Sequence, residues 1–247
     1  MLMELQGLFP LALARVQLRL DPWDVALLMQ EVLALRGDAE GNPEPGCAWT
    51  GDINGIWQVH RLQAFAAITV EVERQAWGYL QQLGFRRETV ALHVQRAWPV
   101  VSEPGQVVGR HHHPNAHLSA VLYLNGDGSG KSGCLRLFPF QQGNELVPGL
   151  AVGHGGPIDS DSAGGHLWNA PWVDVAPEAG LLVLFPAHTD HAVTSNDDEE
   201  DLRLSLAFDL ALTAPLAGPA DAAPPEYLAP HPAQWSEVQP RLGDPGQ

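Results

Sequence analysis

Two cysteines in the whole chain, Cys47 and Cys134, leave no material for a disulfide framework or a thiolate-rich zinc site. A reducing cytosol is therefore the expected compartment. Basic residues are also scarce: 13 Lys+Arg stand against 29 Asp+Glu, a formal net charge of −16. A phosphate backbone would be repelled rather than neutralised, so nucleic acid is not an expected partner. No segment approaches the ~18 uninterrupted apolar residues of a membrane span, so no membrane is expected either. The opening MLMELQGLFPLALARVQL carries Glu4 and no basic lead-in, which argues against a secretion signal. No internal repeat is visible. What remains is 247 residues, 45% of them apolar, enough for a real core and too apolar for disorder. The 25 glycines and 21 prolines suit short strands joined by turns better than a helical bundle.

Asp21-Pro22-Trp23-Asp24 reads as a helix start, with Asp21 as N-cap, Pro22 in the first turn and Asp24 in the capping-box position. The helix is predicted to run to about Arg36 with Leu28, Val32 and Leu35 on one stripe. Residues 37–59 read as loop. A second helix is predicted over 63–83, with Phe65, Ile68, Val72, Trp77 and Leu80 on its apolar face and Gly84 beyond its end. Beyond it the hydrophobic period drops to two. Strands are predicted over 90–95, 117–124, 134–140, 181–185 and 202–210. The Gly-rich stretch 141–180 reads as a long loop of the kind that forms lids. The expected domain spans 1–212, and 213–247 reads as a Pro/Ala-rich tail. Two helices followed by a strand-rich half imply a mainly β fold, a β-sandwich or jelly roll with helices backing one sheet.

Eight of the eleven histidines lie between 111 and 191. In Arg110-His111-His112-His113-Pro114, extended backbone puts His111 and His113 on one face and His112 on the other. Two imidazoles so placed can converge on one metal ion. The candidate third ligand is His191, in LLVLFPAHTDHAV, just beyond a strand end. Taken alone, the cluster is equally compatible with solvated surface. Further along, Arg203 and Ser205 share one face of a strand whose other face is Leu204, Leu206 and Phe208. An inward arginine needs an anion, and a guanidinium beside a hydroxyl suits a carboxylate. The competing partner for Arg203 is an acid from the run 197–201.

Two further patterns fail on inspection. Residues 125–132 (NGDGSGKS) imitate a phosphate loop but lead into a strand rather than a helix. They also imitate a calcium loop, yet Arg136 stands where the bidentate acid belongs. A Gly-rich hairpin turn is the expectation.

The segments PGQVVGRHHHPNAHLSAVLYLN, GLLVLFPAHTDHAV and RLSLAFDL, in that order, resemble the 2-oxoglutarate- and Fe(II)-dependent oxygenases. The resemblance is to a bacterial and phage subfamily with an HxHP…LSGVYYL pattern, and Leu8-Phe9-Pro10 matches its opening. It covers most of residues 7–210. It implies a double-stranded β-helix (jelly-roll, cupin-like) core. His111 matches the first metal ligand and His191 the distal histidine. Arg203 and Ser205 match the R-x-S pair that holds the far carboxylate of 2-oxoglutarate, and Tyr123 matches a tyrosine that bonds the same carboxylate. At His113 the chain departs from the pattern, since most of the superfamily has Asp or Glu there. Three neutral imidazoles leave Fe(II) its full charge, favouring an anionic co-ligand, and make zinc or nickel credible occupants.

The resemblance implies an Fe(II)- and 2-oxoglutarate-dependent dioxygenase that uses molecular oxygen to hydroxylate a small molecule or an amino-acid or protein side chain. The alternative is a cupin-like three-histidine metal protein without 2-oxoglutarate chemistry, for which an R-x-S clamp has no use. Of the other histidines, His117 is either an alternative ligand or a strand-start residue, His154 and His166 fall in the expected lid, and His188 is a candidate partner for a ligand. Trp98, Trp168 and Trp172 are candidates for core packing or a pocket mouth.

Overall fold

The computed structural model describes residues 7–37, 45–141, 143–144, 170–199, 201–216 and 227–238. Among these residues ten strands form two antiparallel sheets that face one another. The larger has the order β1-β8-β5-β10-β3-β2, from β1 (Ala14–Gln17), β8 (Leu181–Pro186), β5 (Leu118–Tyr123), β10 (Arg203–Thr213), β3 (Ala91–Ser102) and β2 (Trp49–Thr50). The smaller has the order β4-β9-β6-β7, from β4 (Val108–His111), β9 (His191–Val193), β6 (Leu135–Leu137) and β7 (Val173–Val175). This is the double-stranded β-helix that the sequence led us to expect.

Two helices cover the outer face of the larger sheet. α1 (Pro22–Arg36) is capped by Asp21, whose carboxylate accepts the Trp23 N–H at 2.8 Å. It buries Leu28 and Val32, with Leu35 packed at the core's edge. α2 (Ala66–Gln82) follows a single 3₁₀ turn, Gln63–Phe65. Its buried stripe is Ile68, Val72, Ala76, Tyr79 and Leu80; Trp77, expected inside, is only partly buried at the flank. Gly84, at φ +91°, ends the helix as expected, its N–H bonded to Gln81 O.

The central strands are buried on both faces, which explains their nearly continuous apolar runs. On β5, β8 and β10 the even-numbered side chains, such as Leu122, Leu184 and Leu206, join the helix-side core. The odd-numbered ones, such as Tyr123 and Phe185, face the smaller sheet. Arg203, Ser205 and Asp209 belong to that inward row, on a strand with no exposed residue.

Several sequence expectations are corrected here. Residues 125–132 do not make a hairpin turn: β5 pairs with β8 and β10, whereas β6 pairs with β7 and β9, so the segment crosses between sheets. The strand expected over 134–140 stops at Leu137, before Pro139. The one expected over 90–95 runs on to Ser102, because β10 supplies a ladder partner along its length. Residues 37–59 are not all loop, since β2 and the 3₁₀ turn Asp52–Asn54 form there. Within the expected lid, 173–175 is strand β7, and His154, His166 and Trp168 lie outside the described residues. At the other end, Ala214 N–H bonds Ala229 O, and Leu228 packs against the helix-side core. No helix among the described residues is long and apolar enough to cross a membrane.

Candidate metal centre

Strand register brings the first two histidines together. β4 and β9 pair so that His111 lies directly opposite His191, and their ring centroids are 4.3 Å apart. His113 follows two residues later, beyond the end of β4, anchored by its N–H to Ala187 O at 2.9 Å. Its ring lies 5.2 Å from that of His111 and 5.1 Å from that of His191. One ring nitrogen from each residue lies within 4.8 Å of the others. This is the one such group of metal-ligating side chains among the described residues. His112 points elsewhere, its Nδ1 3.0 Å from Asp190 Oδ1 at the surface. His117 is a strand-start residue: its Nδ1 accepts the Leu212 N–H at 3.0 Å.

The hydrogen bonds around the three rings test their fitness as ligands. His111 Nδ1 lies 2.7 Å from Gly109 O, and His191 Nδ1 lies 2.9 Å from Thr189 O. Both partners are carbonyls and can only accept, so each neutral ring carries its proton on Nδ1 and keeps the Nε2 lone pair. His113 Nδ1 bonds the Asp209 carboxylate in the same sense. An imidazole binds a divalent ion only as a neutral ring with a free nitrogen lone pair, and all three rings meet that condition at Nε2.

Burial reinforces the neutral state. Desolvation, helped by the neighbouring His111 ring, holds His191 down at about 3. Desolvation also pushes His111 below its ordinary value, against the bond to Gly109. The unfolded chain protonates His191 near 6.5 while the folded chain does not. It therefore holds more protons throughout that interval, and stability falls as the pH drops from 6.5 towards 3. The metal-free protein is expected to lose up to about 1.4 kcal/mol per pH unit through this ring alone. Urea midpoints at pH 7, 6 and 5 measure it, and His191→Gln should flatten the slope. Equal slopes in the two proteins would show that the ring is solvated.

The three histidines line a cavity of about 490 Å³ between the sheets. Arg203, Ser205 and Tyr123 line the same cavity. Ser205 is opposite Tyr123 across the β10–β5 ladder, and Arg203 precedes it by two residues on the same face. The Arg203 side chain is almost fully buried, and desolvation lowers its pKa. Its Nη1 donates to Ser132 O at 3.1 Å. Among the described residues no carboxylate pairs with it: the acidic run is tied down through its backbone, Asp197 N–H to Lys131 O and Asp198 N–H to Asn196 Oδ1, and Glu200 lies outside the described residues. Burial raises the Tyr123 phenol to about 12, so it enters any interaction as a neutral hydroxyl. Gly133, at φ +87°, lets the chain pass close to the guanidinium, since a Cβ there would lie 2.8 Å from Arg203 Nη1.

Two residues escaped the sequence reading. Asp209 is fully buried, and Arg96 donates to it from Nε at 3.0 Å and also from Nη2. The signal was available: Asp209 continues the Arg203, Ser205 parity along an apolar strand, where a charge needs a reason. Trp98 packs near the centre, its ring 5.6 Å from that of His113, whereas Trp172 stands half-exposed under Arg136. His188 is exposed, and the carbonyl that holds His191 belongs to its neighbour Thr189.

Residues 96–209 match the model of the family described as "Putative 2OG-Fe(II) oxygenase", where 2OG is 2-oxoglutarate. The matched segment runs from β3 through β10 and contains all three histidines. Among solved structures, the fold is similar to the non-heme α-ketoglutarate-dependent epimerase SnoN from nogalamycin biosynthesis. The TM-score is 0.54 at 18% identity, covering 90% of this chain and 91% of that one. It is also similar to a Pseudomonas putida prolyl-4-hydroxylase, with a TM-score of 0.50 at 20% identity over 81% and 93% of the two chains. A third similar structure is HygX from Streptomyces hygroscopicus, with nickel and 2-oxoglutarate bound, at a TM-score of 0.50 and 14% identity over 81% and 82%. No curated protein matches the sequence. The match spans 114 of the 247 residues, includes the three-histidine cluster, and is to a family whose description names Fe(II) and 2-oxoglutarate. At these identities the structures carry the fold alone.

Proposed function

We propose that this chain is an Fe(II)- and 2-oxoglutarate-dependent dioxygenase that hydroxylates a C–H bond of a small molecule or of an amino-acid or protein side chain. The observation that carries this reading is the sharing of one cavity by three lone-pair imidazoles and a buried, acid-free arginine. His111, His113 and His191 would hold the iron. Arg203, Ser205 and Tyr123 would hold the far carboxylate of 2-oxoglutarate. When bound, iron and co-substrate supply the oxidation, one oxygen atom of O₂ entering succinate as CO₂ leaves and the other entering the substrate C–H bond.

The chain's own contribution is placement and exclusion. The Arg203 guanidinium offers a planar fork that fixes a carboxylate in orientation as well as position. The Ser205 hydroxyl adds a neutral hydrogen bond on the same face. Trp98, Val100 and Phe185 make the adjoining walls apolar, which keeps water from the metal-facing end. Three uncharged ligands leave an ion its whole charge to attract the anionic co-substrate.

Anaerobic titration of 2-oxoglutarate into the Fe(II)-loaded protein tests the proposal. A metal-to-ligand absorption band that saturates at one equivalent is the expected result. A flat spectrum with iron demonstrably bound would leave a three-histidine metal protein without 2-oxoglutarate chemistry.

A further inference from the structure

In the ladder β3-β10-β5, Arg96 lies opposite Asp209 and Asp209 opposite Ser119, so three polar side chains form one row across the cavity floor. Directly after Asp209 the β10–β3 register slips, with Leu210 facing Val94 and Gln95 left over. His113 stands over this row. Its Nδ1 bonds Asp209 Oδ1, while Ser119 Oγ lies 3.4 Å away. The other carboxylate oxygen, Oδ2, takes both bonds from Arg96. Arg96 continues to Asp52, 3.8 Å away, and stacks 5.0 Å over Trp98.

The three histidines are therefore not equivalent. His111 and His191 rest on neutral backbone carbonyls, and only His113 rests on a carboxylate. A carboxylate that accepts Nδ1–H fixes the ring plane, holds the lone pair on Nε2 and raises its basicity. It also brings a negative charge within one imidazole of the ion, in low-dielectric surroundings where that charge acts strongly. Asp209 is completely buried, so keeping it charged is costly and needs compensation. Arg96 supplies that from the far side without touching the histidine.

We infer that Asp209 is a positioning residue for the metal: it orients and polarises His113, and so returns to the site the negative charge absent from its three-imidazole ligand set. Arg96 is its counterion and draws on the same charge. The inference rests on the metal-site reading above and extends it to a residue that touches no ion.

The test is Co(II) binding to the metal-free full-length protein, read by calorimetry without turnover. Asp209→Asn is expected to weaken Co(II) by about 10–100-fold. Ser119→Ala, which removes the third member of the row but leaves Asp209 with its counterion and its bond to His113, is expected to bind Co(II) as tightly as the unaltered chain. Parallel losses in both variants would mean that the row only braces the sheet, and would overturn the inference. So would an unchanged affinity in Asp209→Asn. Should that variant fail to fold, imidazole ¹⁵N spectra of the unaltered metal-free protein decide at neutral pH: His113 is expected as the Nδ1–H tautomer with a far-downfield proton, and an Nε2–H ring overturns the inference. Failure of the unaltered chain to bind Co(II) at all would remove the metal reading together with this one, whereas binding that ignores Asp209 removes only this one.

Discussion

Arg203→Met is expected to weaken 2-oxoglutarate by roughly 2–5 kcal/mol, far more than tenfold, while Fe(II) binding is retained. The expectation follows from where the charge sits. Arg203 opens β10 on the inward face, almost fully buried, with a backbone carbonyl of Ser132 as its protein acceptor and no carboxylate beside it among the described residues. Burying a guanidinium this way costs several kcal/mol unless an anion arrives to offset it. Methionine keeps much of the stem's volume and removes the cation, so the co-substrate-free variant should melt no lower than the parent. The three histidines lie on other segments and keep their own carbonyl and carboxylate bonds. The signature is thus two-sided: retained or raised thermal stability, and lost affinity in the anaerobic titration. Equal affinities would remove Arg203 from the co-substrate site, and a collapse of the fold would show that the cation is structural.

The sequence disclosed the parts of this molecule that depend on periodicity. On β10 the alternation that set Arg203 and Ser205 against Leu204, Leu206 and Phe208 is the alternation between the cavity and the helix-side core. The same parity joined His111 to His113, although only His111 lies within a strand and His113 is placed by its bond to Ala187 O. Pairing between distant strands was not legible. The β5-to-β6 segment looks like a hairpin because its glycines suit any tight turn, and only the ladder partners show that it changes sheets. Short strands such as β2, β7 and β9, two or three residues each, carry too few alternations to register as a pattern.

Asp209 shows the same limit at the site. Its parity was visible, but its meaning depends on Arg96, 113 positions away, meeting it across the ladder. That pairing bears on the departure at His113. A carboxylate placed on the metal by His113→Asp would face the buried Asp209, so the commoner ligand set and this carboxylate row are poorly compatible in one site.

His111→Ala and His191→Ala are each expected to lose metal by roughly 100-fold or more, beyond the 10–100-fold that follows removal of an outer partner. His112→Ala is expected to keep it. The three residues differ little in sequence context, since His112 sits between two of the proposed ligands. What separates them is direction. His111 faces His191 across the β4–β9 pair, and each turns its Nδ1 to a carbonyl two residues before it in the chain. His112 turns out to Asp190, which also takes two bonds from Arg110. That contact is exposed and screened by water, so its loss should barely move the fold. Truncating His191 opens a buried gap beside Phe185, whose ring it meets edge-on at 5.1 Å, and some loss of stability should accompany the loss of metal. Truncating His111, at the more open end of the pair, should cost metal with little effect on stability. Metal analysis after dialysis, with melting curves of the metal-free proteins, separates the cases. Metal lost from His112→Ala and kept by His111→Ala would mean that the ion is held on the opposite face of this segment.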